Sequence, residues 1–358
     1  MDRAQRIADS AKKDAVVIAN GGMPFLDPVF WYVTEQRSGS FEGSFAVISK
    51  DGSLDVVTNE LEGAAAKSGK GNVHIFRDRK ERMTILAELL KGCRRIGVSG
   101  RAITRNTSEY IKKITDAKLF DVSDKMADVV SVKDGQEITE IRKACSISSK
   151  AAKKIPEFLR EGITEKEVAW LIDSSMRNDN GSGNAFETIS AFGENSAEPH
   201  WRPSERTLKK GDTALFDFGS KYGMYCSDLT RTVFFGEPDD ILKRAYDVVL
   251  KAQEAGIKEM LCGAPAKNAD IAARKIIDKS EFKGRFIHSF GHGVGMNAHE
   301  GPSISRVSKD ILKEGMVVTA EPGIYIPGIG GIRIEDTVLI TKDGAEPLTI
   351  FDKDLTVI

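Results

Sequence analysis

The chain has 358 residues, which at roughly 150 residues per domain suggests about two domains. Its 52 Lys+Arg and 53 Asp+Glu leave a formal net charge of −1, which argues against a nucleic-acid or anionic-membrane partner, since either would need a strong basic excess. An apolar content of 41% beside 29% charged residues excludes a disordered chain, and no apolar run approaches the roughly 18 residues of a membrane span. Residues 1–14 are charged and amphipathic without an apolar core, so no secretory signal is expected. Cys93, Cys145, Cys226 and Cys262 lie far apart with no C-x-x-C spacing, as expected of a reducing, cytoplasmic setting.

In chain order, the first 130 residues alternate strand-like and helix-like stretches. Strands are predicted at 15–19, 44–49, 54–58, 73–76, 96–99 and 118–122, with Asp51-Gly52 supplying a hairpin turn between the second and third. Residues 80–90 and 107–114 carry helical spacing. This predicts a small α/β domain on a mixed sheet, with His74 a structural residue inside a strand. A helix over 136–158 follows, its stripe made by Ile138, Ile141, Cys145, Ser148, Ala152 and Ile155, with Pro156 at its end. Thr164-Glu-Lys-Glu167 is a capping box opening the next helix, through Met176. The domain boundary is placed at 130/131, and the second domain alternates strands with helices at 239–260 and 267–279.

The informative feature of that second domain is acids inside apolar strands. Asp217 is the one charge of Thr213–Gly219, and Asp228 opens the strand ending at Phe235. A hairpin symmetric about Tyr222/Gly223 sets Asp217 opposite Asp228. Directly opposed residues have Cβ atoms about 5 Å apart, where two unpaired carboxylates repel by roughly 3 kcal/mol at an effective dielectric of 20. Met316–Glu321 and Gly331–Ile340 repeat the construction, since a pairing centred on Gly328 sets Glu321 opposite Glu335. In Gly291-His-Gly-Val-Gly295, glycines leave His292 free of flanking bulk. Four carboxylates and one imidazole suit a pair of divalent ions, Mn²⁺ or Co²⁺ foremost, with Zn²⁺ and Fe²⁺ also compatible. Two such ions about 3.5–4 Å apart can share and ionise a water, which is hydrolase chemistry.

Competing readings are weaker. Asp217-Phe-Gly219 matches a kinase tripeptide, but no H-R-D precedes it. The glycine-flanked histidine lacks G-x-G-x-x-G spacing, and no H-E-x-x-H occurs. Each acid alone reads as an ordinary ion pair, and only the joint pattern reverses that. His288 lies between apolar residues and is expected to be a packed structural histidine. Arg333 and Thr230 are expected to steady the carboxylates two residues away on their own strands, Glu335 and Asp228 respectively.

Asp217, Asp228, His292, Glu321 and Glu335 together resemble the ligand set of the pita-bread metallopeptidases, the group of methionine aminopeptidase, aminopeptidase P, prolidase and the metal-free creatinase. Pro199-His200, Ser227–Thr232, His299-Glu300, Glu321-Pro-Gly323 and Gly331–Asp336 strengthen the likeness. It implies an α/β (α+β) architecture, with a creatinase/prolidase-type amino-terminal domain at 1–130 and a pita-bread catalytic domain at 131–358. By position, Asp217 would bind the first of two metals, Asp228 and Glu335 would bridge, and His292 and Glu321 would bind the second. Glu321 would also handle protons, and His200 and His299 would contact substrate and stabilise the tetrahedral intermediate. Tyr325 matches a substrate-side tyrosine. The expected activity is hydrolysis of the Xaa-Pro bond of dipeptides, as in prolidase. The alternatives are aminopeptidase P action on longer peptides, methionine aminopeptidase-like action, and a non-catalytic peptide-binding member. Some prolidases carry an arginine where Ser303 stands, and Arg306 is the expected substitute for holding a dipeptide carboxylate. Such proteins commonly dimerise, so a homodimer is expected.

Overall fold

A computed structural model describes residues 2–358, which divide into two compact units, 2–130 and Ser131–Ile358. The amino-terminal unit contains α1 (Arg3–Ala11), β1 (Ala15–Ala19), α2 (Pro28–Thr34), β2 (Phe45–Ser49), β3 (Leu54–Asn59), α3 (Gly63–Ala66), β4 (Asn72–Phe76), α4 (Arg79–Leu89), β5 (Arg95–Val98), α5 (Arg105–Lys112) and β6 (Lys118–Asp121), with α6 (Ser123–Ser131) at its end. The sheet order is β4-β3-β2-β1-β5-β6. It is mixed, because the hairpins β1/β2 and β2/β3 are antiparallel while β1/β5, β3/β4 and β5/β6 are parallel. The parallel pairs β3/β4 and β5/β6 are joined through α3 and α5, while the longer β1/β5 connection passes through α2, α3, α4 and three strands.

Every strand foreseen in this unit forms within a residue or two of its expected ends. Helix α2 was not foreseen, since Phe30-Trp-Tyr-Val33 is a run of strand-favouring residues. Its N-terminus decides the matter: Asp27 Oδ1 accepts from Val29 N at 3.0 Å, and Pro28 supplies a preset φ at the first helical position. His74 Nε2 lies 2.8 Å from Asp55 Oδ1 on the neighbouring strand, a cross-strand pair at the unit's surface.

The second unit opens with α7 (Gly135–Phe158) and α8 (Glu165–Asn178), and both begin with capping boxes, Asp134/Glu137 and Thr164/Glu167. Strands β7 (Gly183–Asn184), β8 (Ile189–Phe192), β9 (Asp212–Phe218), β10 (Ser220–Tyr222), β11 (Tyr225–Cys226) and β12 (Leu229–Phe235) follow, then α9 (Asp240–Lys258) and α10 (Lys267–Asp278). The remainder is β13 (Gly291–Gly293), β14 (Glu300–Ile304), β15 (Val317–Ala320), β16 (Gly323–Ile326), β17 (Gly330–Arg333), β18 (Asp336–Thr341) and β19 (Gly344–Pro347). Sheets β12-β9-β8 and β14-β13-β15-β18-β19 carry the acidic strands. Helices α7 and α8 cover the first sheet, burying Ile155, Val168 and Ile172 with Phe216, Phe218 and Val233. Helices α9 and α10 cover the second, burying Tyr246, Val249 and Ile277 with Val318, Val338 and Ile340. Among the described residues no helix is long and apolar enough to cross a membrane.

The first acidic hairpin departs from its expected register. Asp217 pairs with Thr230, not Asp228, because the turn centres on Gly223-Met224 and Gly223 takes the left-handed conformation (φ 59°). The displacement is two residues, so both acids keep their face. The second hairpin keeps the expected register from end to end, with Val317 opposite Leu339 and Gly323 opposite Arg333. Its ladder is interrupted at Glu321-Pro322 and Ile334-Glu335, and the proline brings no N–H to the break.

Candidate metal centre and substrate cavity

These hairpins converge on a cavity of about 320 Å³, whose lining includes all five acidic and imidazole candidates, Asp217, Asp228, His292, Glu321 and Glu335. His200, His299, Arg333 and Ser303 also line it, with Phe186 and Ile189 as apolar wall. Ligating atoms of Asp228, His292 and Glu335 lie within 4.8 Å of one another. His292 Nε2 is 3.1 Å from Glu321 Oε1 and 3.7 Å from Asp228 Oδ2. Its Nδ1 faces the Gly293 carbonyl at 3.1 Å and donates to it, which directs Nε2 at the carboxylates. The glycines beside His292 do more than leave room. A Cβ on Gly291 would stand 2.1 Å from Thr319 O, and one on Gly293 2.0 Å from Gly301 O, so neighbouring backbones require both.

The electrostatics are those of crowded anions. Burial, then the charges of Glu335, Asp217 and Glu321, push the Asp228 carboxyl well above the usual carboxylate range. Burial, then Glu321 and Asp217, raise Glu335 likewise. Burial opposes ionisation of Glu321 too, but its hydrogen bond and charge pairing with His292 bring it down to about 2. Burial disfavours the His292 cation, yet Glu321 outweighs it and the imidazole is held above its ordinary value. His299, with its ring centroid 3.9 Å from that of His292, is pushed down by burial and by the His292 charge.

Arg333 and Thr230 serve other partners than expected. Arg333 Nη2 donates to Asp217 Oδ2 at 2.5 Å, Nη1 to Tyr325 Oη at 2.9 Å and Nε to Thr230 Oγ1 at 3.1 Å. Thr230 Oγ1 donates to Glu335 Oε2 at 2.6 Å. The two helpers exchange acids because the register places Thr230 opposite Asp217 and the packing of the two hairpins brings Thr230 to Glu335. Tyr325, expected on the substrate side, is instead buried behind the cavity wall, held by Arg333 and His288.

A sequence profile described as Metallopeptidase family M24 matches residues 139–342, and one described as Creatinase/Prolidase N-terminal domain matches 1–130. The chain belongs to metallopeptidase family M24. A curated relative, the Xaa-Pro dipeptidase of Pyrococcus horikoshii, is 36% identical over 97% of this chain and 95% of its own. The solved structure of a Xaa-Pro dipeptidase from Bacillus anthracis superposes with a TM-score of 0.92 at 32% identity, covering 99% of each chain. That of an X-Pro aminopeptidase from Thermotoga maritima gives 0.92 at 33%, covering 100% of each.

For a metallopeptidase, the test is whether these residues fit a divalent ion. Asp217 Oδ1 is buried with no hydrogen-bond partner, and Asp228 and Glu335 are buried side by side against two further acids. A carboxylate-rich set with one imidazole is the donor chemistry of hard and borderline divalent cations, and such a cation would relieve each of these penalties. The residues fit.

Two further sequence expectations need correction. His288 is no mere packing residue, because it lines the cavity of this metallopeptidase. Its Nδ1 donates to the Ser289 carbonyl at 2.8 Å, so Nε2 accepts from Tyr325 Oη, also at 2.8 Å. Burial pushes its value down and keeps it neutral. A polar residue between Ile287 and Ser289, four before His292, was the available signal. Arg306 does not line the cavity. Ser303 pairs with His292 across β13/β14, and the chain beyond Ile304 runs into an adjoining hollow with Asp270 and Arg274, where Arg306 lies and which meets the cavity at His288 and Ser289.

Proposed function

We propose that this chain is a prolidase, hydrolysing the bond before proline in Xaa-Pro dipeptides with two divalent ions held by Asp217, Asp228, His292, Glu321 and Glu335. The observation that carries the reading is the meeting of those five side chains in one cavity that His200 and His299 also line. When bound, the ions would polarise the scissile carbonyl and lower the pKa of the attacking water. Glu321, the acid of the set that is ionised even without metal, is the base that takes the water proton and returns it to the departing imino nitrogen. His299, held neutral, and His200 donate N–H groups to the charge developing on the carbonyl oxygen. Phe186 and Ile189 offer the pyrrolidine ring an apolar wall. Mn²⁺ or Co²⁺ suits the oxygen-rich set best. A reducing cytoplasmic setting agrees with the four free thiols, and a homodimer completes the proposal.

One observation favours the second reading, aminopeptidase P-like action on longer peptides. With Arg306 off the cavity wall and Ser303 on it, the wall lacks the cation expected to clamp a dipeptide carboxylate there. Turnover of a Xaa-Pro dipeptide and a Xaa-Pro-Xaa tripeptide decides between them, using metal-stripped protein reloaded with Mn²⁺, Co²⁺ or Zn²⁺. Cleavage of the dipeptide alone establishes prolidase action, preference for the tripeptide establishes the second reading, and no metal-dependent cleavage of either refutes both.

A further inference from the structure

Glu165 is the first residue of α8, directly after the capping threonine, and its side chain is fully buried. The capping box uses Glu167 and leaves Glu165 free to turn inward. Its Oε1 accepts from Phe192 N at 2.8 Å and Asn195 Nδ2 at 2.9 Å. Its Oε2 accepts from Trp201 Nε1 at 2.9 Å, Ser204 N at 2.9 Å and Ser204 Oγ at 2.6 Å. All five donors come from residues 192–204, the segment that carries His200. They fall on both sides of that histidine, one of them on the very next residue. His200 is itself exposed on the cavity wall. A buried carboxylate saturated by five donors is a rigid anchor, since each lost bond strands a donor away from water.

We infer that Glu165 is the positioning residue for His200: its carboxylate clasps the segment on both sides of the histidine and sets where the imidazole meets the substrate. The inference rests on the proposed role of His200 in Xaa-Pro hydrolysis. Glu165 touches neither the cavity nor the acidic cluster, so its loss displaces His200 without removing a ligand. Displacement by about 1 Å is enough to lower turnover roughly a hundredfold. Gln at this position keeps the size but offers only one accepting oxygen, so one set of donors meets an amide N–H₂ instead. Trp201→Phe is the gentler variant, removing a single donor and keeping a ring against Ile189 and Leu215.

The test compares parent, Glu165→Gln, Trp201→Phe, His200→Ala and Glu165→Gln/His200→Ala, all Mn²⁺-loaded. It reads kcat, KM, bound metal and amide hydrogen exchange across residues 192–204. Glu165→Gln is expected to lower kcat about 10–100-fold with KM and metal content nearly unchanged, Trp201→Phe to lower it less, and exchange in the segment to accelerate in both. In the His200→Ala background the Glu165 change is expected to cost nothing more. Multiplying losses in the double variant would overturn the inference, as would unchanged kcat with accelerated exchange. If Glu165→Gln fails to fold, Trp201→Phe with and without His200→Ala carries the same comparison. Failure of the parent to cleave any Xaa-Pro peptide would instead refute the proposed activity, and exchange would still judge the clasp: no acceleration in the segment overturns it.

Discussion

Asp336 follows Glu335 directly and lies at the centre of a buried polar knot. Its Oδ1 accepts from Arg231 Nη2 at 2.7 Å and Thr349 Oγ1 at 3.2 Å, and its Oδ2 from Gln253 Nε2 and Lys353 Nζ, both at 3.0 Å. Arg231 is 1% exposed and spends its remaining N–H groups on the carbonyls of Thr230, Glu335, Phe351 and Asp352. Asp336→Asn therefore strands a buried guanidinium with which no other acid pairs among the described residues. Coulomb's law at an effective dielectric of 20 gives about 4 kcal/mol for charges about 4 Å apart, and breaking a buried pair from one side costs about 3–5 kcal/mol. In a domain of this size each kcal/mol shifts Tm by about 2–4 °C, so Tm of the second unit should fall by roughly 10 °C in scanning calorimetry. The pH dependence follows from linkage. Burial alone would raise the Asp336 carboxyl, but Arg231 and Lys353 hold it below its ordinary value. Its contribution is present above the unfolded value, near 4, and is lost as pH falls through the lower folded one. The gap between parent and variant should thus hold from pH 7 to about 4 and close on further acidification. A shift below about 3 °C at pH 7, or a gap that widens in acid, would refute the reasoning.

Asp228→Asn should abolish hydrolysis while raising the Tm of the metal-free protein, because it removes one of four crowded charges; full activity with bound metal would break the ligand assignment. Thr230→Val should weaken metal affinity about 10–100-fold by freeing Glu335, and Thr230→Ser should restore it, since only the hydroxyl reaches Oε2. Equal affinity in all three forms, measured by competition with a chelator, would show that the hydroxyl does not steady the site. Metal binding at pH 6 should release protons, because burial with neighbouring acids raises Asp228 and Glu335, and Glu321 raises His292 against the effect of burial. Titration calorimetry in buffers of different ionisation enthalpy reads the count, and buffer-independent heats would contradict it. Groups with raised folded values lend stability that is lost as pH rises through them, so the rise in Tm on adding metal should grow from acidic to neutral pH.

Much of the site was legible because its signals are local. An acid within an apolar strand, a histidine between glycines and a glycine-rich turn are each readable over a few residues, and β-pairing then carries that information along the hairpin. The turn near Gly328 thereby sets Glu321 across from Glu335 through the observed register. An even-numbered slip in the first hairpin left Asp217 and Asp228 on one face, so the cluster survived an error in its pairing. Most strand and helix positions were similarly accessible, though α1 and α6 were not foreseen and at Pro28 a cap overrode intrinsic preference.

What the sequence alone determined, then, was most of the elements and the acids and imidazole that face inward from them. Which neighbour serves which acid was decided only by tertiary packing. Thr230 reaches Glu335 across 105 residues and Arg333 reaches Asp217 across 116, separations over which no periodicity or turn rule speaks. Glu165 looked like an ordinary first-turn residue, and its hold on the His200 segment exists because α8 packs its N-terminus against that segment. Arg306 misled for the same reason: three residues beyond Ser303 in sequence, it passes the end of β14 and leaves the cavity. Local sequence sets the direction a side chain faces; the packing of separate hairpins and helices sets what it meets there.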